Sequence, residues 1–234
     1  MRPVEKKIWL ENNVEIDKQY SPYGNAKDDL IDNLGKYCSF CEVPVPPKSS
    51  LEVEHVQPKS LFKYFHLKES WSNFLLGCKN CNSVKGSQDV VFADVHLPHK
   101  NNTAISFQIK EGGLIEISNS IEAFEKQKAQ KTLNLVGIDR RPKHPQYSKK
   151  DDRWQNRYEA WNLAKIYLEK YKNKLVDIDT IIDLAIIKGF FSVWMTVFEN
   201  DFDIRQALIN NFKGTAKTCF DINTSPISRN GTTI

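Results

Sequence analysis

Tyr37-Cys-Ser-Phe-Cys-Glu42, then Leu51-Glu-Val-Glu-His55, then Asn73-Phe-Leu-Leu-Gly-Cys-Lys-Asn-Cys-Asn-Ser-Val-Lys-Gly86 is the run of residues that decides how this chain folds. Four of the five cysteines fall there in two Cys-x-x-Cys pairs, Cys38/Cys41 and Cys78/Cys81. A two-residue gap lets both thiolates of a knuckle point at one ion, and two knuckles complete the tetrahedral sulfur shell of a closed structural zinc site. Zn²⁺ on Cys38, Cys41, Cys78 and Cys81 is the first expectation. A disulfide set fits poorly in a reducing compartment. A redox motif fits no better, because neither pair stands in a strand-to-helix βαβ setting. Cys219 is left over and is expected to pack as a small hydrophobe.

Working outward, Leu51 and Val53 alternate with Glu52 and Glu54, the period of a strand that ends at His55. Asn73-Phe-Leu-Leu-Gly is an apolar run short enough to be the returning strand, and Cys78 to Lys85 reads as a knuckle running into a short helix. A Pro-rich turn from Val43 leads into the first strand, and Val56 to Ser72 is irregular. Upstream, Leu30, Ile31 and Leu34 predict a helix over 25–34 with Gly35 as its cap. Downstream, Ile105-Ser-Phe-Gln-Ile and Leu114-Ile-Glu-Ile-Ser flank Lys110-Glu-Gly-Gly, a hairpin whose turn needs glycine. Helices are expected over 121–135, 151–173, 177–200 and 203–212, then a loose tail from Asn223. The fold class is α+β: a zinc-stabilised core and hairpin over 1–118, with a mainly α-helical region over 119–234.

Among 234 residues, 40% hydrophobic with net charge +4, nothing departs from an ordinary globular chain. Met1-Arg-Pro-Val-Glu-Lys-Lys lacks the apolar stretch of a secretory signal, so the cytoplasm is the expected compartment. The apolar window from Ile178 to Phe198 carries Asp179, Asp183 and Lys188, which are costly at a bilayer centre, so a buried helix is expected and no membrane partner. Charge is uneven: from Glu125 to Lys150, eight Lys/Arg face only two acids, Glu125 and Asp139. Arg140, Arg141 and Lys143 in that stretch are candidate phosphate contacts, with Arg153, Trp154 and Arg157 extending the surface. A solvated face explains the same charges.

Leu51-Glu-Val-Glu-His-Val-Gln-Pro-Lys-Ser, followed by Trp71-Ser-Asn-Phe-Leu-Leu-Gly-Cys-Lys-Asn-Cys-Asn-Ser-Val-Lys-Gly, resembles the HNH (ββα-metal) endonuclease motif. The acidic-His pair, the central Asn and the Cys-x-x-Cys-Asn-x-x-Lys ending stand in order. Asn82 stands where the family often has His, the HNN variant, and Glu54 where Asp is frequent. Within the family the layout is similar to the HNH subunits of bacterial anti-phage defence, the Septu-type and retron-associated nucleases. That narrower likeness rests on the short N-terminal arm, the Tyr37 knuckle and a helical half containing Lys131-Thr-Leu-Asn-Leu.

The resemblance implies a metal-dependent endonuclease, with DNA as the expected substrate and an ABC-type ATPase subunit as a possible partner. His55 would be the general base, since neutral imidazole is available at cellular pH. Glu54 and Asn82 would hold Mg²⁺ or Mn²⁺ through hard oxygen donors, with Glu52 as rival or auxiliary. Asn73 would fix the histidine by hydrogen bonding. Lys85 reads equally as a phosphate contact or a solvated helix end. Phe62, Tyr64, Phe65 and Trp71 are read as packing, with base stacking the alternative. His66, His96, His99 and His144 lack ligand spacing and receive no role. An RNA- or tRNA-cutting toxin, or a zinc module that binds without cutting, are the competing readings. A pure binding module has no need of Glu54, His55, Asn73 and Asn82 together.

Overall fold

The computed structural model describes residues 1–45 and 50–234. The middle of the Pro-rich turn lies outside the described residues. The fold is α+β, with three two-stranded antiparallel sheets among the described residues. A hairpin that the sequence reading left as an arm, β1 (Trp9–Glu11) with β2 (Val14–Ile16), comes first. Helix α1 (Ala26–Leu34) buries Ala26, Leu30, Ile31 and Leu34 and ends at Gly35, whose φ of 80° suits glycine.

The core motif follows as read. Strand β3 (Leu51–His55) pairs with β4 (Phe74–Cys78), Glu54 opposite Leu75 and His55 opposite Phe74, and α2 (Lys79–Lys85) follows at once. Every residue of β4 is buried, as an all-apolar run at the bottom of a core requires. The connection from Val56 holds only short 3₁₀ turns, at Phe62–Leu67 and Trp71–Asn73. A short helix, α3 (Thr103–Ser106), precedes the second hairpin, β5 (Phe107–Lys110) with β6 (Leu114–Ile117). The glycines of its turn take positive φ, 71° at Gly112 and 70° at Gly113.

Helices α4 (Ala123–Val136), α5 (Arg153–Lys172) and α8 (Phe202–Asn211) lie close to expectation. The single helix read over 177–200 is in fact two, α6 (Ile178–Lys188) and α7 (Phe191–Val197). The break falls at Gly189 and Phe190, with φ of 72° and 58°. Its cause is remote in sequence. The Phe190 N–H donates to the Glu42 carbonyl at 3.1 Å, and a Cβ on Gly189 would stand 2.6 Å from Pro44 Cδ. The helix stops because the first cysteine knuckle occupies the space.

Among the described residues two hydrophobic cores form, and they do not part at residue 118. The first joins α1, β3, β4 and the N-terminal residues to Ala129, Leu133, Leu135 and Val136 of α4, and to Ile138 and Ile234. The second gathers α5 to α8 around Trp194, with Tyr37 and Ile109. Nor is the tail loose: Asn102 donates to the Ile227 carbonyl at 2.7 Å, Arg229 to the carbonyls of Val4 and Pro98, and Ile234 is buried. Among the described residues, no helix is long and apolar enough to cross a membrane.

Candidate metal centre and catalytic pocket

Residues Cys38, Cys41, Cys78 and Cys81 are all buried, and their sulfurs lie within 4.8 Å of one another. Two local devices aim them. Cys78 caps α2, its sulfur accepting from the Cys81 N–H at 3.5 Å. The first knuckle docks on β4, Ser39 N–H donating to the Leu76 carbonyl at 2.8 Å. Four buried thiols this close, none in a disulfide, fit a four-sulfur zinc site.

Such a site carries excess negative charge, and α5 answers it. Arg153 is buried and donates to the Cys81 sulfur at 3.1 Å, to the Val136 carbonyl at 2.7 Å and to the Gly137 carbonyl at 2.9 Å. Arg157, one turn on, is also buried, within electrostatic reach of Cys41. Both arginines were read as a nucleic-acid surface; they serve the inside of the molecule. A guanidinium hydrogen-bonded to a ligand sulfur offsets its charge and helps set the metal's properties.

Across the hairpin, His55 closes β3. Its Nε2 is 2.9 Å from the Lys68 carbonyl, and its ring packs edge-on against Tyr23 and Phe74 at 4.7 and 5.1 Å. A carbonyl only accepts, so Nε2 carries the proton and Nδ1 keeps its lone pair. Burial, reinforced by the charges of Lys59, Lys85 and Lys68, pulls the imidazole pKa below its ordinary value. Neutral imidazole is the resting form.

Asn73 does not touch this ring. Its amide donates to the carbonyls of Gln57 at 2.9 Å and Leu67 at 3.3 Å, and its oxygen accepts from Gln57 N–H at 2.8 Å. It therefore pins both ends of the loop that presents the Lys68 carbonyl, holding His55 at one remove.

Glu54 is buried, and its carboxylate pairs with the Lys85 ammonium at 2.7 Å. The same ammonium donates to the His55 carbonyl at 2.7 Å. Lys85 is thus not a solvated helix end; it is a buried cation tying α2 to the end of β3. Burial pushes the Glu54 carboxyl up despite Lys85. Gly77 makes the room, since a Cβ there would meet Glu54 Cβ at 3.1 Å. On the same side, Asn82 donates its amide to the Glu52 carboxylate. Glu54, His55, Asn82 and Lys85 share a cavity of about 260 Å³ with Tyr23 and Lys59. Oxygen donors from Glu54 and Asn82 on one cavity suit a hard divalent cation, provided the Lys85 ammonium shares or yields the carboxylate.

The remaining candidates lie apart. Arg141 and Lys143 are exposed on the loop after α4, and Arg140 donates to Gln146 at 2.7 Å. Phe62 is 95% exposed and Phe65 60%, whereas Trp71 is buried, so packing explains only the last. Sequence reading also missed a buried chain in which Ser106 Oγ is 2.9 Å from His96 Nδ1 and His96 Nε2 is 2.7 Å from Glu125. This is the order of a hydrolytic triad, but Ser106 is fully buried and its hydroxyl meets no substrate. The chain fastens α3 to α4.

The β3–β4 hairpin and α2 thus hold an acidic-His pair beside a four-cysteine cluster. Residues 38–88 match the family model described as HNH endonuclease. Two relatives share more of the chain, each a Septu protein PtuB. The one from Bacillus thuringiensis is 29% identical over 96 residues, 38% of this chain and 37% of its own. The one from Bacillus mycoides strain KBAB4 is 31% identical over 77 residues, 26% of each chain. The chain thus matches well under half the length of these relatives.

Proposed function

We propose that this chain is a metal-dependent endonuclease that hydrolyses phosphodiester bonds, with DNA as substrate and anti-phage defence as its setting. One observation carries the reading: a neutral His55, its tautomer set by the Lys68 carbonyl, shares a cavity with the oxygen donors of Glu54 and Asn82. A divalent cation, Mg²⁺ or Mn²⁺, held by Glu54 and Asn82 would neutralise charge on the scissile phosphate and its leaving oxygen. His55 Nδ1 accepts the proton of the attacking water. Asn73 and Lys68 keep the imidazole in place, and the sulfur centre keeps β3 and α2 together. The likeness to the Septu proteins supports the defence setting, and an ATPase subunit as partner belongs to the same proposal.

The test is incubation of the purified chain with plasmid, single-stranded DNA and tRNA, with and without Mg²⁺, beside a His55→Ala variant. Loss of a general base costs about 10²- to 10⁴-fold in rate, and the variant should fall by that much while melting normally. Cleavage that persists in the variant overturns His55 as base. Cleavage of tRNA alone moves the assignment to RNA.

A further inference from the structure

Under the β1–β2 hairpin, a cavity of about 410 Å³ is lined by Lys6, Lys7, Trp9, Trp71, His99 and Lys100. Its donors lack acceptors. His99 is only 8% exposed, yet both its ring nitrogens are buried without a hydrogen-bond partner, and so is Trp9 Nε1. The Lys6 ammonium has the Trp71 carbonyl alone. Among the described residues, Lys6, Lys7 and Lys100 have no carboxylate within ion-pair distance. Two acids line the cavity: Asp17 accepts from Ser70 and Ser72, and Glu15 is exposed on β2. Buried polar groups are almost always paired, so two orphaned donors, Trp9 Nε1 and the single N–H of a neutral His99, beside ammoniums with no carboxylate partner describe a site shaped for an anion.

We propose that this cavity is a second nucleic-acid subsite, seating one backbone phosphate of the strand whose scissile bond lies at His55. The inference rests on the nuclease reading above. Three successive ring contacts, Trp71–Tyr20 at 6.0 Å, Tyr20–Phe74 at 6.4 Å and Phe74–His55 at 5.1 Å, join the two places. They span at most about half of the ~34 Å turn of a duplex, so one bound strand reaches both. Trp71 and Ser72 belong to the cavity and lead directly into Asn73, which makes the subsite continuous with the catalytic loop. Burial also pulls the Lys6 ammonium down to about 7, a charge that a phosphate would restore.

The test uses the full chain carrying His55→Ala, so that substrate survives, and follows binding of a labelled duplex of a few helical turns as salt is raised. Lys7 and Lys100 are exposed, so Lys7→Gln with Lys100→Gln leaves the fold intact; Lys6→Gln is the sharper variant. Each lysine removed from a phosphate should weaken binding several-fold and lower the salt slope by about 1. The His99 ring resonances should move on adding duplex and stay put with inorganic phosphate at equal concentration. Unchanged affinity and slope in both variants overturn the subsite, as does a His99 response to inorganic phosphate alone, which marks a free-anion site. Cleavage by the chain with His55 intact is scored separately. Normal cleavage with insensitive binding sinks only the subsite, and sensitive binding without any cleavage upholds it while sinking the nuclease reading.

Discussion

At the scale of single residues, the catalytic proposal turns on the protonation of His55. Burial and three neighbouring lysines hold its pKa below the ordinary value, so the base stays neutral below pH 6.5, the usual midpoint for histidine. The acid limb of a cleavage-rate profile should therefore lie below pH 6.5, with activity flat from there to neutrality. A limb centred above 6.5 would show that His55 is not the titrating base. His55, Glu54 and the four cysteines were legible because their meaning lies in spacing a few residues long. The role of Lys85 was not, since its partner Glu54 becomes a neighbour only when α2 folds back on β3. Asn73 was expected to bond the histidine directly, whereas its hydrogen bonds go to Gln57 and Leu67. A one-dimensional motif records that a residue is needed and is silent on how many bonds stand between it and the chemistry.

At the scale of elements, the sulfur centre is the clasp between the hairpin, α2 and α5. Binding of structural zinc is worth about 10–16 kcal/mol in isolated fingers, which exceeds the stability of most domains. Replacing Cys78 by Ser should abolish stoichiometric zinc and the cooperative melting transition together, read by metal analysis and calorimetry. Retention of both would remove Cys78 from the shell. The junction of α6 and α7 gives an independent test. Gly189→Ala puts a Cβ at positive φ and 2.6 Å from Pro44, so a destabilisation of about 1–3 kcal/mol is expected in denaturant titrations, with zinc content preserved. The helix period alone ran straight through this break. Nothing local forbids a helix there; what stops it is Glu42, which also accepts from Ser192 across 150 positions of sequence.

At the scale of the whole molecule, the buried histidines tie stability to pH. Desolvation lowers the pKa of His96, against the pull of Glu125, and lowers that of His99 strongly, helped by Lys6 and Lys100. The unfolded chain takes up these protons near pH 6.5 and the folded chain only at lower pH, so acid favours unfolding. The melting temperature should hold above about pH 7 and fall as the pH drops below 6.5 toward 5. A Tm that stays constant over that window would mean that both rings are protonated freely in the native state. Much of the α+β layout was legible from periodicity, including both core hairpins and most helices. What escaped were features made by long-range closure: the β1–β2 hairpin, the tail packed on Asn102 and Pro98, and α4 joining the first core.

The bond from Arg153 to the Cys81 sulfur bears on any attempt to carry the domain elsewhere. A fragment cut at residues 38–88 would keep all four clustered sulfurs and every motif residue, yet lose the guanidinium beside Cys81 and the helix start that donates to Glu42. The matched segment is not a cassette that can be lifted out and grafted; its borders in space enclose stretches that a linear alignment leaves outside.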